Sequence, residues 1–411
     1  MKSLLLFYLL LVLLVAARLF LFYSNQPTFA DKQQVIFKTT VNTSPKSFNN
    51  YQTLWVNISP TTGALLKLPV DMQLSYGDIV LISGRLNNKL LDSGDNIFTI
   101  DYPIIEPKSS EKSPFLAVIY SIRQHIIDYF KQHLDNVSAG LLLGIVFGIK
   151  DNIPKQFLDQ IQQTGVMHVV AASGMNVTMV SGFLFYFFIL FLKRQIAIVA
   201  AIGGIAFYVI LAGFEASIVR AAIMGSIVFG AQIIGKQKES AHILFLTVIL
   251  MLFLWPEFLI SIGFQLSVAA TLGILFIPML FSRFTNSFTE VFIVTISAQL
   301  ATLPILIANF GAYSVLSIFT NAFVLWTIPI LTILGMISAV FVFILPLFAS
   351  LFLYIALPFL LFFRTVVEFF ASTTAILTFS SFSWQFSLAY YFILAAAVLF
   401  FYEKIHKRSF S

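Results

Sequence analysis

The rhythm of apolar and polar positions divides the chain into an apolar lead, a polar alternating region and a long series of apolar blocks. Leu4 to Tyr23, after the basic Lys2, is long enough to predict a membrane-crossing helix. Its polar-free core also fits a signal peptide with a site near Ala16-Ala17. Arg18 followed by a second apolar stretch, Leu19 to Tyr23, favours a retained anchor. From about Gln26 to Pro107 the runs Gln34 to Val41, Tyr51 to Ile58, Gly77 to Arg85 and Asn96 to Pro103 alternate with period two. Asn-Asn, Thr-Gly and Ser-Gly-Asp turns separate them, which predicts a small antiparallel β-domain. Its length suits an OB-like β-barrel of about five strands.

After a loop from Pro107 to Pro114, Leu116, Ile119, Ile122, Ile126, Ile127 and Phe130 recur at helical spacing, with Arg123, His125, Lys131 and His133 opposite. This predicts an amphipathic helix, for the membrane interface or for packing on the barrel. Val137 to Ile149 is apolar but too short to cross a membrane, and Gly140, Gly144 and Gly148 recur every fourth position. A half-helix or tightly packed re-entrant segment is expected there. Lys150 to Phe157 opens a short amphipathic helix with Pro154 near its first turn.

Apolar blocks then run from Val166 to Leu192, Ile196 to Ala212, Ala216 to Ile234, Ile243 to Trp255, Phe258 to Phe281, Phe288 to Phe310, Val315 to Leu345, Leu347 to Leu377 and Phe386 to Tyr402. Val315 to Leu345 exceeds one span and contains Asn321 and Pro329, so a half-helix followed by a spanning helix is predicted. One overlong, tilted helix is the alternative. No clear inverted repeat accompanies these blocks, which weakens a carrier-type reading.

Composition supports the same fold class. The 411 residues are 59% hydrophobic and 10% charged, against about 25% charged in soluble domains. A polytopic α-helical membrane protein of about ten membrane segments, some of them half-helices, with an extracytoplasmic OB-like domain near the N-terminus, is therefore expected. The predicted layout is an anchor over 1–25, the β-domain over 26–107, a linker and interfacial helix over 108–135, the multi-span domain over 136–403 and a basic tail over 404–411. Lys193-Arg194, Lys236 with Lys238, Arg283 and the tail alternate with loops lacking Lys and Arg. Orientation follows: basic loops and C-terminus in the cytoplasm, β-domain outside. With no cysteine, disulfides and thiolate metal sites are excluded.

The stretch Thr164 to Gly182 opens an apolar block yet carries His168, Ser173, Asn176, Thr178 and Ser181 around Gly174. Polar groups facing hydrocarbon are costly without a partner or water. Two readings stand: these groups line a polar path, or they bond neighbouring helices. Glu215 and Arg220 lie five apart, poor spacing for a shared helix face, so Arg220 is expected to point elsewhere, towards such a path or towards helix-end carbonyls. Arg364 and Glu368, four apart, form a structural pair. Gln265 with Ser267, Gln299 with Thr302, and Asn321 are polar groups deep in apolar blocks, with lining and packing open for each. In the β-domain Tyr51, Trp55 and Arg85 fit stacking and phosphate contacts to a nucleic acid, with barrel support the rival role.

There is no Walker loop, no His-Glu-x-x-His and no Gly-x-Ser-x-Gly elbow. Neither enzyme activity, nor a metal centre, nor a cofactor is expected.

Gly140-Leu-Leu-Leu-Gly144 and Gln163-Thr-Gly-Val-Met-His-Val-Val-Ala-Ala-Ser-Gly-Met-Asn-Val177 resemble the signature of the ComEC competence-protein family, the inner-membrane channel for transforming DNA. The resemblance continues, in family order, through Val219 to Met224, Trp255-Pro-Glu257, Gly263 to Ser267, Gln299 to Pro304, Phe310 to Ser314 and Asn321. Tyr76 to Gly84 resembles the family's extracytoplasmic OB domain. The resemblance implies passage of single-stranded DNA, with His168, Ser173, Gly174, Asn176, Arg220, Gln265, Gln299 and Asn321 at motif positions and Thr178 beside them. Asn176 stands where many members have His. The sequence ends at Ser411 without the metallo-β-lactamase-like domain of longer members, so a separate nuclease and a cytoplasmic DNA motor are expected partners, beside DNA and membrane lipid. Basic mouths, including Arg123 and Lys131 on the interfacial helix, would gather DNA. The alternatives are a secondary transporter of another anionic or small substrate and a non-conducting assembly protein.

Overall fold

The computed structural model describes residues 2–41, 46–47, 50–72, 74, 77–90, 96–107, 114–170, 174–235, 239–281, 287–314, 316–373, 376–378 and 384–409. The chain divides into two compact units, Met1–Ile126 with Leu252–Glu257, and Ile127–Met251 with Phe258–Ser411. The first begins with α1 (Lys2–Ser24), an uninterrupted apolar helix. The strands that follow are β1 (Gln34–Thr40), β2 (Lys46–Ser47), β3 (Gln52–Asn57), β4 (Gly63–Leu68), β5 (Ile79–Arg85), β6 (Asn87–Leu90), β7 (Asn96–Asp101) and β8 (Ile104–Pro107).

Alternation builds two sheets around one core. In β3 and β4 every second side chain is buried, so Leu54, Val56, Ala64, Leu66 and Leu68 face inward to meet Val35, Val80, Ile82 and Ile100. One sheet runs β1-β5-β8 and the other β2-β3-β4-β7-β6. The β4–β7 pair is parallel. Among the described residues the strands do not close into a barrel; the two ladders share a core instead. The period-two reading located β1, β3, β5 and β7 but missed β4, because Gly-Ala-Leu-Leu-Lys-Leu reads as a plain apolar run. Gly77 follows with φ +86°, and a Cβ there would lie 2.0 Å from the ring of Tyr120.

Tyr120 belongs to α2 (Pro114–His133). Ile119, Ile126, Ile127 and Phe130 are buried along one stripe of this helix, as the helical spacing predicts. After it come α3 (Asn136–Phe147), α4 (Lys155–Gln163), α5 (Met167–Val170), α6 (Gly174–Ile189), α7 (Arg194–Leu211), α8 (Ala216–Ile234), α9 (Ser240–Leu254), α10 (Ile262–Phe276) and α11 (Ser287–Phe310). The chain ends with β9 (Ala312–Ser314), α12 (Ser317–Val324), α13 (Thr327–Ile344), α14 (Pro346–Thr373), β10 (Ile376–Thr378) and α15 (Trp384–Ser409). The long block from Val315 is thus two helices, α12 and α13, parted at Leu325 and Trp326. β9 and β10 pair antiparallel, a link that the apolar pattern did not signal.

Among the described residues seven helices are long and apolar enough to cross a membrane, and four more are apolar but shorter. Their outer faces carry Phe20, Tyr186, Leu347 and Phe392, each more than 70% exposed. Such exposure suits a lipid solvent, whereas in water it would aggregate.

The short α3 is of a different kind. Asp135 caps its start, accepting from the N–H groups of Val137 and Ser138 at 3.2 and 3.3 Å. From Ser138 to Phe147 every residue is buried. Gly148, at φ +71°, closes the helix in the left-handed region that glycine tolerates. Gly140 and Gly144 allow backbone contact: a Cβ would sit 2.6 Å from the Asn152 carbonyl oxygen at the first, and 2.8 Å from Val170 Cγ1 at the second.

Candidate functional site

The segment that follows α4 is held between elements far away in sequence. Gly165, at φ +74°, packs against α12 so closely that a Cβ would lie 2.6 Å from Ser317 Cβ and 3.8 Å from Ser314 Cβ. Gln299 on α11 donates from Nε2 to Ser317 Oγ at 3.3 Å. One end of the stretch therefore collects groups from α11, β9 and α12.

The other end collects α8 and α10. Gly174 opens α6, and a Cβ there would lie 2.9 Å from an outer nitrogen of Arg220; the missing side chain leaves room for the guanidinium. Arg220 is buried. It donates from Nε to Ser267 Oγ at 2.7 Å, and from Nη1 to Thr271 Oγ1 at 2.8 Å and Met224 Sδ at 3.2 Å. Glu215 does not reach it, pairing instead with Lys150 at 3.2 Å. The five-residue spacing is thereby resolved: the two charges leave their helix on different courses.

Between these ends lies His168. Its Nδ1 is 3.1 Å from the Gly165 carbonyl oxygen, an arrangement that leaves Nε2 directed away from that bond. His168 is exposed.

Asn176 has a different setting. It is fully buried, and its Nδ2 donates to the Ile145 carbonyl oxygen. Tyr208 on α7 donates to the neighbouring Val146 carbonyl oxygen. Together they satisfy two of the orphan carbonyls at the end of α3. Thr178 is exposed, its hydroxyl donating to the Gly174 carbonyl oxygen at 2.9 Å. Gln265 donates to the Leu259 carbonyl oxygen at 3.0 Å. Asn321 is buried on α12 with neither amide atom hydrogen-bonded among the described residues. Ser173 lies outside the described residues.

On the β-unit, Trp55 stands on the solvent face of β3, 42% exposed and lying over Gly63. On the same face the Lys67 ammonium sits 4.5 Å from the ring centre of Tyr51 and 5.7 Å from that of Tyr102. Arg85 is exposed and donates from Nε to the Lys32 carbonyl oxygen at 3.1 Å. On α2, Lys131 is exposed and Arg123 partly so. Lys67, Tyr102, Thr271, Ser317 and Tyr208 were not singled out from sequence. Lys67 alternates in phase with Leu65 on the outer face of β4, and Thr271 lies one helical turn after Ser267; both spacings signal a shared face once the elements are known.

Apolar helices that present aromatic and leucine side chains outward, enclose a polar cluster and follow a small β-unit define a polytopic α-helical membrane protein. The chain belongs to the competence protein family: the family model described as "Competence protein" matches residues 145–404, a span holding both ends of the cluster. "ComE operon protein 3" of Bacillus subtilis (strain 168) is 29% identical over 213 residues, 52% of this chain and 27% of that protein. An "Uncharacterized protein" of Aquifex aeolicus (strain VF5) is 30% identical over 201 residues, 48% of this chain and 47% of that protein. The chain thus spans less than half the length of either relative. No solved structure matches it.

Proposed function

We propose that this chain is a channel passing single-stranded DNA across the cytoplasmic membrane during natural transformation. The observation that carries the reading is the convergence of distant motif blocks on Gly165 to Gly174, with His168 accessible between them. A polyanion cannot cross an apolar slab, so its path must be wet and lined by amides, hydroxyls and few charges. Gln299, Ser317, His168, Arg220, Ser267 and Thr271 supply that chemistry inside apolar helices. Asn176 serves the path indirectly, by fixing the end of α3.

In this reading the β-unit faces outward, the C-terminus lies in the cytoplasm, and Trp55, Tyr51, Lys67, Arg85, Arg123 and Lys131 gather the strand by stacking and phosphate attraction. The chain acts as a conduit rather than an enzyme, working with a nuclease and a DNA motor. The test is reconstitution of the full chain into liposomes loaded with a fluorescent intercalator. Entry of single-stranded oligonucleotide supports the proposal; exclusion of the oligonucleotide with passage of small anions overturns it in favour of a small-anion transporter.

A further inference from the structure

Arg220 is 7% exposed, and among the described residues no carboxylate lies within ion-pair distance of it. Four acids of its unit are engaged elsewhere: Glu215 with Lys150, Glu239 with His242, and Glu368 and Asp135 with Arg364. Nε and Nη1 have partners, all neutral. The remaining nitrogen, Nη2, lies 2.9 Å from where a Gly174 Cβ would sit and makes no hydrogen bond among the described residues. Ser267 receives the Nε–H, and the Thr271 hydroxyl proton is taken by the Ser267 carbonyl oxygen at 2.8 Å. The Ser267 hydroxyl proton is thus left to donate beside the guanidinium. A buried cation without a counter-charge is costly, and intramembrane arginines ordinarily find one.

We infer that Arg220, with the Ser267 hydroxyl, forms a binding site for a phosphoryl oxyanion. A planar guanidinium and an adjacent hydroxyl donor suit two phosphoryl oxygens. The occupant is a phosphate of the translocating strand or of a lipid headgroup; only the first choice rests on the DNA-passage reading.

The full chain in phosphate-free, lipid-stripped neutral micelles is melted in sodium chloride and in sodium phosphate of equal ionic strength. The wild type is expected to melt about 2–4 °C higher in phosphate. Arg220→Met should show no such rise and should melt no lower than wild type in chloride, because removing an unpaired buried charge relieves its desolvation. Arg220→Lys and Ser267→Ala should each retain a reduced rise. Arg220→Met melting below wild type in chloride while gaining equally from phosphate makes the arginine purely structural and overturns the site; so does a full phosphate rise in Ser267→Ala if Arg220→Met does not fold. The occupant is read separately. Lipid phosphorus retained by wild type and lost in Arg220→Met supports the site with a lipid in it. Displacement of phosphate by an oligothymidylate, but not by its uncharged methylphosphonate analogue, supports it with DNA. Failure of every oligonucleotide arm with the phosphate rise intact removes the DNA reading and leaves the site standing.

Discussion

At the scale of single residues, the arrangement distinguishes groups that hold helices from groups that face open space. Asn176 holds: its amide satisfies a carbonyl at the end of α3. Asn176→Leu should therefore lower stability by about 1 kcal/mol, the usual size of such an interhelical bond, seen as a lower melting temperature in micelles. His168→Ala, by contrast, should leave melting nearly unchanged while reducing oligonucleotide entry into liposomes. Equal stability losses in both variants would remove the distinction. Asp135 gives a pH signature. Partial burial pushes its carboxyl up, but the Ser138 side chain, the N–H groups of Ser138 and Val137, and Arg364 prevail and hold it below the usual carboxylate range. A depressed native pKa stabilises fully above the unfolded value of about 3.9, and the contribution fades as pH falls through the native value. Asp135→Asn keeps a good cap and should flatten that acid limb in melting measured from pH 6 to pH 3.

At the scale of elements, length and periodicity were legible, and closure and partnership were not. A 13-residue apolar block (Val137 to Ile149) with glycine every fourth position is too short to cross and too smooth to face lipid, and α3 is buried accordingly. Asn321 and Pro329 marked the division into α12 and α13. The β-unit's open sheets were not legible, because strand alternation says which face is buried but not which strand is the neighbour; the parallel β4–β7 pair is a long-range choice. Likewise the motif blocks named candidate residues, but not that Gly174 makes room for Arg220, which depends on how α6 and α8 approach. The packing of α3 is testable at Gly140. A side chain there would meet the Asn152 backbone at 2.6 Å, and a backbone carbonyl cannot rotate away as a side chain can. Gly140→Val should cost about 1–3 kcal/mol. Gly182→Val, where a Cβ meets nothing within 4 Å, should cost much less. Comparable melting temperatures for the two would contradict the close approach of α3 to the turn after it.

At the scale of the whole molecule, two compact units carry two different kinds of polar surface, and the proposed function asks each to act on the same strand. The β-unit offers Trp55 beside Lys67 with Tyr51 and Tyr102, a face suited to stacking and to one phosphate. The membrane unit offers the cluster around His168 and Arg220. If capture and passage are separate steps, variants in the two units perturb independent terms. Trp55→Ala should weaken oligonucleotide binding by about 1–3 kcal/mol. Lys67→Gln should lessen its salt dependence, the logarithmic slope changing by about 0.7. Gly174→Val should leave binding to the β-unit intact while displacing Arg220 and slowing entry into liposomes. In the double variant Trp55→Ala with Gly174→Val, residues in separate units, the logarithms of the two effects on entry should add within about 0.5 kcal/mol. A non-additive result larger than that would show that the strand engages both surfaces in one step, and capture would then have to be described as part of passage.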